Sequence, residues 1–179
     1  MNALHVVNCV VISLYVACAA LGPVLAQETT KQEFVGSTPC DVRSREFLGG
    51  IPTDAPCHCI AWRLTLLDTK NSEESGDYTL EVTYGIPGRV DPNQLVEGPT
   101  AKLKGRWDIV RGSKANSQSV VFRIHNAEKD QPLLLSRVSK DLLHFLNEDK
   151  NLRVGNAGWS YTLNRKRNDR KNYQSPANP

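Results

Sequence analysis

Apolar residues recur at every second position along most of this chain. Trp62-x-Leu64-x-Leu66 alternates, as do Tyr78-x-Leu80-x-Val82-x-Tyr84 and Trp159-x-Tyr161-x-Leu163. Leu103-x-Gly105-x-Trp107-x-Ile109, Val120-x-Phe122-x-Ile124, Leu133-x-Leu135 and Leu143-x-Phe145 fall between them. A period of two turns one face of an extended strand inward and the other to water, so each run predicts a half-buried strand. The connectors carry turn chemistry: Asn71 to Gly76, Pro87-Gly88, Arg111 to Asn116, Asn126 to Pro132, Asn147 to Asn151 and Gly155 to Gly158. Ser136 to Leu146 also fits a helical face through Val138, Leu142, Leu143 and Leu146. Its neighbours are strands, which favours a strand there too.

Eight or nine short strands in series predict an all-β chain with antiparallel pairing. A meander of this kind must dispose of its edges, and closing it into an up-and-down barrel removes them. A two-sheet β-sandwich is the alternative. Closure makes a specific demand: the first segment, near Phe34, must neighbour the last, Trp159 to Leu163.

The ends of the chain differ from this body. Residues 1–26 contain no Lys, Arg, Asp or Glu, and Val6 to Leu25 is largely apolar. Gly22-Pro23 would break a helix just before Val24-Leu25-Ala26, whose short residues suit signal peptidase, so cleavage after Ala26 and export to the periplasm or the extracellular space are expected. An uncleaved anchor would use the same stretch, and a membrane lipoprotein would be anchored through Cys18. The mature chain then holds a single domain over residues 27–163. The net charge of +3 hides an asymmetry: residues 164–179 alone carry +4, leaving −1 for the rest. That basic C-terminal tail, with almost nothing to bury, is expected to be disordered. A nearly neutral exported body excludes nucleic acid as a partner and points to a small ligand or an envelope protein.

Five cysteines occur, and removal of Cys9 and Cys18 with the signal leaves Cys40, Cys57 and Cys59. In an oxidising compartment a bridge from Cys40 to Cys57 or Cys59 is expected, with Cys40 to Cys57 leading, and it would close a Pro/Gly-rich loop. Alternatively, Cys57 and Cys59 form a copper-binding clip. Their side chains would share one face of an extended segment about 7 Å apart, with His58 pointing away, and two thiolates suit Cu(I). A redox pair lacks the helix N-terminus and two-residue spacing that lower a thiol's pKa.

Catalysis finds little support. His58, His125 and His144 belong to no His-Glu-x-x-His motif, Gly-x-Ser-x-Gly is absent, and the paired carboxylates Glu73-Glu74 and Glu148-Asp149 fall in turns. A non-enzymatic binding module is therefore expected. Trp62, Trp107 and Trp159, one per strand, would either fill the interior or line a cavity for a small apolar ligand.

Phe34-Val-Gly-Ser-Thr-Pro-Cys40, the strand from Cys57 to Leu66, Gly105-Arg-Trp-Asp-Ile109, Leu142-Leu-His-Phe-Leu-Asn-Glu-Asp149 and Trp159-Ser-Tyr-Thr-Leu-Asn-Arg165 occur in an order that resembles the N-terminal domain of NlpE-type envelope proteins. The resemblance implies a lipocalin-like bacterial barrel concerned with surface stress or copper tolerance. It spans the mature body except residues 41–56 and the tail. Family members carry Cys-x-x-Cys where this chain has Cys57-x-Cys59, and often a lipid anchor.

Overall fold

The computed structural model describes residues 29–69, 72–88, 95–96 and 98–167. The proposed signal segment and the end of the basic tail lie outside the described residues. The described residues form strands β1 (Thr29–Pro39), β2 (Cys59–Thr69), β3 (Ser72–Pro87), β4 (Leu95–Val96), β5 (Thr100–Arg111), β6 (Val120–Ile124), β7 (Leu133–Ser139), β8 (Leu142–Leu146) and β9 (Thr162–Arg165), with one helix among them, α1 (Val42–Leu48).

Eight of these strands form a closed antiparallel barrel in which β1, β2, β3, β5, β6, β7, β8 and β9 each pair with the next and β9 returns to β1. β4 lies outside the ring, paired only to the end of β3. The up-and-down barrel is therefore the fold, and the sandwich is not. The seam is where the sequence placed it, with Phe34 opposite Arg165 and Val35 opposite Asn164. Gly36 lets the seam close, because a Cβ there would lie 2.3 Å from the Thr162 carbonyl oxygen.

The alternating runs deliver their apolar residues to the interior, Trp159 excepted. Phe34, Trp62, Leu64, Leu66, Tyr78, Leu80, Trp107, Phe122, Leu135, Leu143, Phe145 and Leu163 all belong to one buried cluster. Trp62 and Phe145 meet edge to face at 5.2 Å, and Trp107 meets Phe122 at 5.4 Å, the geometry aromatic rings prefer. Both indole N–H groups are satisfied inside, Trp62 donating to Thr38 Oγ1 at 2.9 Å and Trp107 to the Asp77 carbonyl at 3.0 Å.

Ser136 to Leu146, where strand neighbours favoured a strand over a helix, is two strands joined by a turn at Lys140-Asp141, paired to each other and to β6 and β9. Three local expectations are corrected. The connector drawn over Asn71 to Gly76 is mostly strand, since β3 begins at Ser72. Trp159 stands in the loop before β9 rather than on it, while Asn164 and Arg165, assigned above to the tail, lie in β9.

Neither the short β4 nor α1 is legible in the alternation. Asp41 caps the start of α1, the side chain accepting from the Ser44 N–H at 2.8 Å, and Gly49 ends it in the left-handed conformation (φ 67°). A helix of seven residues has no independent stability. It survives because Phe47 and Leu48, with Ile51 beyond, bury against the barrel end and close it.

Candidate functional site

The closed end contains the chemistry singled out in the sequence. Pro39 and Cys59 are opposed at the end of the β1 and β2 ladder, which brings Cys40 and Cys57, just beyond it, side by side. Their sulfurs are bonded, with Cα atoms 5.7 Å apart. Among the described cysteines Cys59 is the free thiol, 2% exposed; burial pushes it above the ordinary thiol range and so disfavours the thiolate. His58 is exposed, its N–H donating to the Gly85 carbonyl and its carbonyl accepting from the Cys40 N–H. The tripeptide thus scatters its three groups: Cys57 is bonded to another sulfur, Cys59 is buried, and His58 meets solvent. The two thiolates of a Cu(I) clip are not available together in this oxidised state. Among the described residues, no group of three or more His, Cys, Asp or Glu side chains is placed to hold a metal ion.

Next to the disulfide, the Asp41 carboxylate does more than cap α1. It also accepts from Arg153 Nη2 and from the Tyr161 hydroxyl, and the Arg153 guanidinium lies over the Tyr161 ring at 4.1 Å. Arg153 is nearly buried and its Nη1 has no partner among the described residues. Burial first, then the neighbouring Asp41 carboxylate, pushes the Tyr161 hydroxyl up to about 12. This hub ties the helix, the loop before β9 and the barrel end together.

The histidines and tryptophans are held by structural contacts. His125 Nε2 lies 2.7 Å from Asp108, which also accepts from Arg123 Nε at 2.9 Å. His144 Nε2 is 2.9 Å from the Arg153 carbonyl. Trp62 and Trp107 sit in different aromatic pairs of the core, and Trp159 is half-buried in its loop, its backbone N–H donating to Asn156 Oδ1. Trp62 and Trp107 belong to the packed core cluster, and Trp159 does not.

The opposite end has a different character. β2, β5, β7 and β9 all finish there, and each places a charged residue two positions beyond its last apolar inward residue. These are Asp68 after Leu66, Arg111 after Ile109, Arg137 after Leu135 and Arg165 after Leu163. The register fixes their direction: Arg111 opposes Val120, Arg137 opposes Leu143 and Arg165 opposes Phe34, all partners that pack on or in the core. Directly opposed residues share a face, so the three arginines belong to the inward layer and rim the mouth.

Charges on the outer wall are neutralised in a ladder. Lys166 pairs with Glu33, Glu33 with Arg63, Arg63 with Glu81 and Glu81 with Lys102. At the mouth the accounting is different. The Arg137 guanidinium lies over the Phe122 ring at 4.7 Å, and neither it nor Arg165 has a side-chain hydrogen bond or ion pair among the described residues. Asp68 accepts from Thr30 Oγ1, and among the described residues Arg111 has a loose, exposed contact with Glu74 at 3.9 Å. Arg165 also borders a cleft of about 540 Å³ on the seam side, lined by Lys31, Glu33, Lys140, Asp141, Lys166 and Arg167. Sequence reasoning passed over these arginines because it read the alternating strands only as far as their last apolar residue. The signal was present as Ile-x-Arg, Leu-x-Arg and Leu-x-Arg at three strand ends.

No family model, no curated protein and no solved structure matches this chain.

Proposed function

We propose that the chain is an exported, non-enzymatic binding module. Its barrel serves as a rigid scaffold, and its contacts are made at the barrel ends and outer wall. The observation that carries this reading is the interior: a continuous cluster of Phe, Trp, Tyr and Leu side chains, with both buried indole N–H groups engaged inside it, occupies the space a carrier would reserve for cargo. The export expectation, the disulfide and the resemblance to NlpE-type envelope proteins support an envelope or extracellular setting.

The reading as a carrier of an apolar ligand is less well supported for the same reason. A copper-buffering role through Cys57 and Cys59 would require reduction of the disulfide and exposure of a buried thiol.

Titration with the neutral apolar dye N-phenyl-1-naphthylamine tests the scaffold reading. The expected result is no saturable rise in dye emission and no quenching of the indoles. One-site saturable binding with quenching of Trp62 or Trp107 would overturn it. Mass measurement of the exported protein should show an N-terminus at Gln27.

A further inference from the structure

The barrel mouth presents an arrangement that the scaffold reading does not require. Alternate strands of a sheet lie about 10 Å apart, so long side chains from β5, β7 and β9 converge over the opening they rim. Three like charges placed there repel one another, and the described residues offer them few counter-charges. Burial pushes the Arg137 guanidinium below the ordinary arginine range, Arg111 and Arg165 push it further, and Asp68 opposes them. Within the described charges of mouth and cleft, Arg111, Arg137, Arg165, Lys31, Lys140, Lys166 and Arg167 face Asp68, Glu74, Glu33 and Asp141, an excess of three positive charges.

An arginine held on an aromatic face keeps its planar fork of N–H donors free for an oxyanion, and guanidinium groups bind phosphate more specifically than a point charge does. The apolar floor beneath, Phe122 with Leu135 and Leu163, removes water from one side of the site. Arg137 is exposed with its guanidinium over the Phe122 ring, which leaves its donors within reach of an incoming ion.

We propose that the open mouth of the barrel is a binding site for a tetrahedral oxyanion, a phosphate or sulfate group, held by Arg137 and Arg165 with Arg111 completing the ring and Lys31 and Lys140 at the approach. This rests on the reading of the chain as a scaffold that binds at its surface. The ligand is a group of defined chemistry, whether it arrives free or on a lipid headgroup.

Calorimetric titration of the full mature protein with inorganic phosphate at low ionic strength tests it. One saturable site is expected, weakened at least about tenfold in Arg137→Gln and in Arg165→Gln, the loss of one charge-assisted bond, and unchanged in Arg106→Gln, since Arg106 pairs with the exposed Asp77 away from the mouth. Phosphate should also raise the melting temperature of wild type above that in chloride of equal ionic strength, and this increment should vanish in both mouth variants. Near-ultraviolet circular dichroism identical to wild type shows that the variants are folded.

Sedimentation with phosphatidylcholine vesicles, with and without phosphatidylglycerol, separates the sources. Arg137-dependent sedimentation competed by inorganic phosphate assigns a headgroup, and solution binding without sedimentation assigns a free anion. Absence of phosphate binding, or equal binding by wild type and both mouth variants, would overturn the site. Neither result touches the dye titration, so failure of the site and failure of the scaffold reading are distinct.

Discussion

Asp41 is the position at which a single change has the most informative consequence. Replacing it with Asn keeps a good helix N-cap, because the amide oxygen still accepts from the Ser44 N–H, so the capping contribution is largely retained. What disappears is the charge facing Arg153 and Tyr161. A fully buried ion pair stripped of one partner costs about 3–5 kcal/mol and an exposed one about 0–1 kcal/mol. Arg153 is 11% exposed and Asp41 26%, so about 2 kcal/mol is appropriate here. Converting the Tyr161 hydrogen bond from charge-assisted to neutral adds about 1 kcal/mol. Asp41→Asn should therefore lose about 3 kcal/mol in urea unfolding at neutral pH, and Asp41→Ala about 1 kcal/mol more through the lost cap.

The same substitution has a spectroscopic consequence. Tyr161 titrates at about 12 because of burial first and Asp41 second. Asp41→Asn removes the second cause, so the ionisation should move down without reaching the ordinary value near 10. A raised folded-state pKa contributes stability that is complete below the unfolded value and is lost as pH climbs through the folded one. Wild type should thus lose stability between about pH 10 and pH 12, and the variant should lose less across that window. A variant within about 0.5 kcal/mol of wild type, with an unchanged alkaline tyrosine titration, would refute the hub.

Other consequences can be checked separately. Joint replacement of Cys40 and Cys57 by Ala should cost about 3 kcal/mol, the loop-closure value for a separation near that of this bridge. Iodoacetamide should label no cysteine of the folded mature protein and one, Cys59, after unfolding without reductant; labelling of three would dismiss the bridge. Gly36→Ala should destabilise by about 3 kcal/mol, since its Cβ meets backbone at the β1 and β9 seam, and an unchanged urea midpoint would contradict that packing. The Arg123 hydrogen bond, opposed by burial and aided by His125, holds Asp108 below the usual carboxylate range, so its stabilisation is present above the ordinary value and lost as pH falls through the folded one. Arg123→Gln should flatten stability against pH below about pH 4, and an unaltered acid limb would remove Asp108 as its source.

The sequence by itself determined which residues face inward, because a period of two leaves no choice once one face must leave water. Trp62, Tyr78, Trp107, Phe122 and Leu143 needed no tertiary information to be assigned to a core. It also determined that three cysteines would leave one sulfur over. Tertiary structure decided which one: the β1 and β2 register ends at Pro39 and Cys59, so the residues just past it bond and Cys59 stays behind. Only the fold made α1 visible, since a seven-residue helix is stable solely against the barrel end it closes. Only closure of the ring gave the arginines a common address. Arg111, Arg137 and Arg165 are far apart along the chain, and each alone is a solvated strand end. Alternation set their inward face, but strand direction and seam pairing placed all three at one mouth, where like charges with few counter-charges define a chemistry that no single segment states.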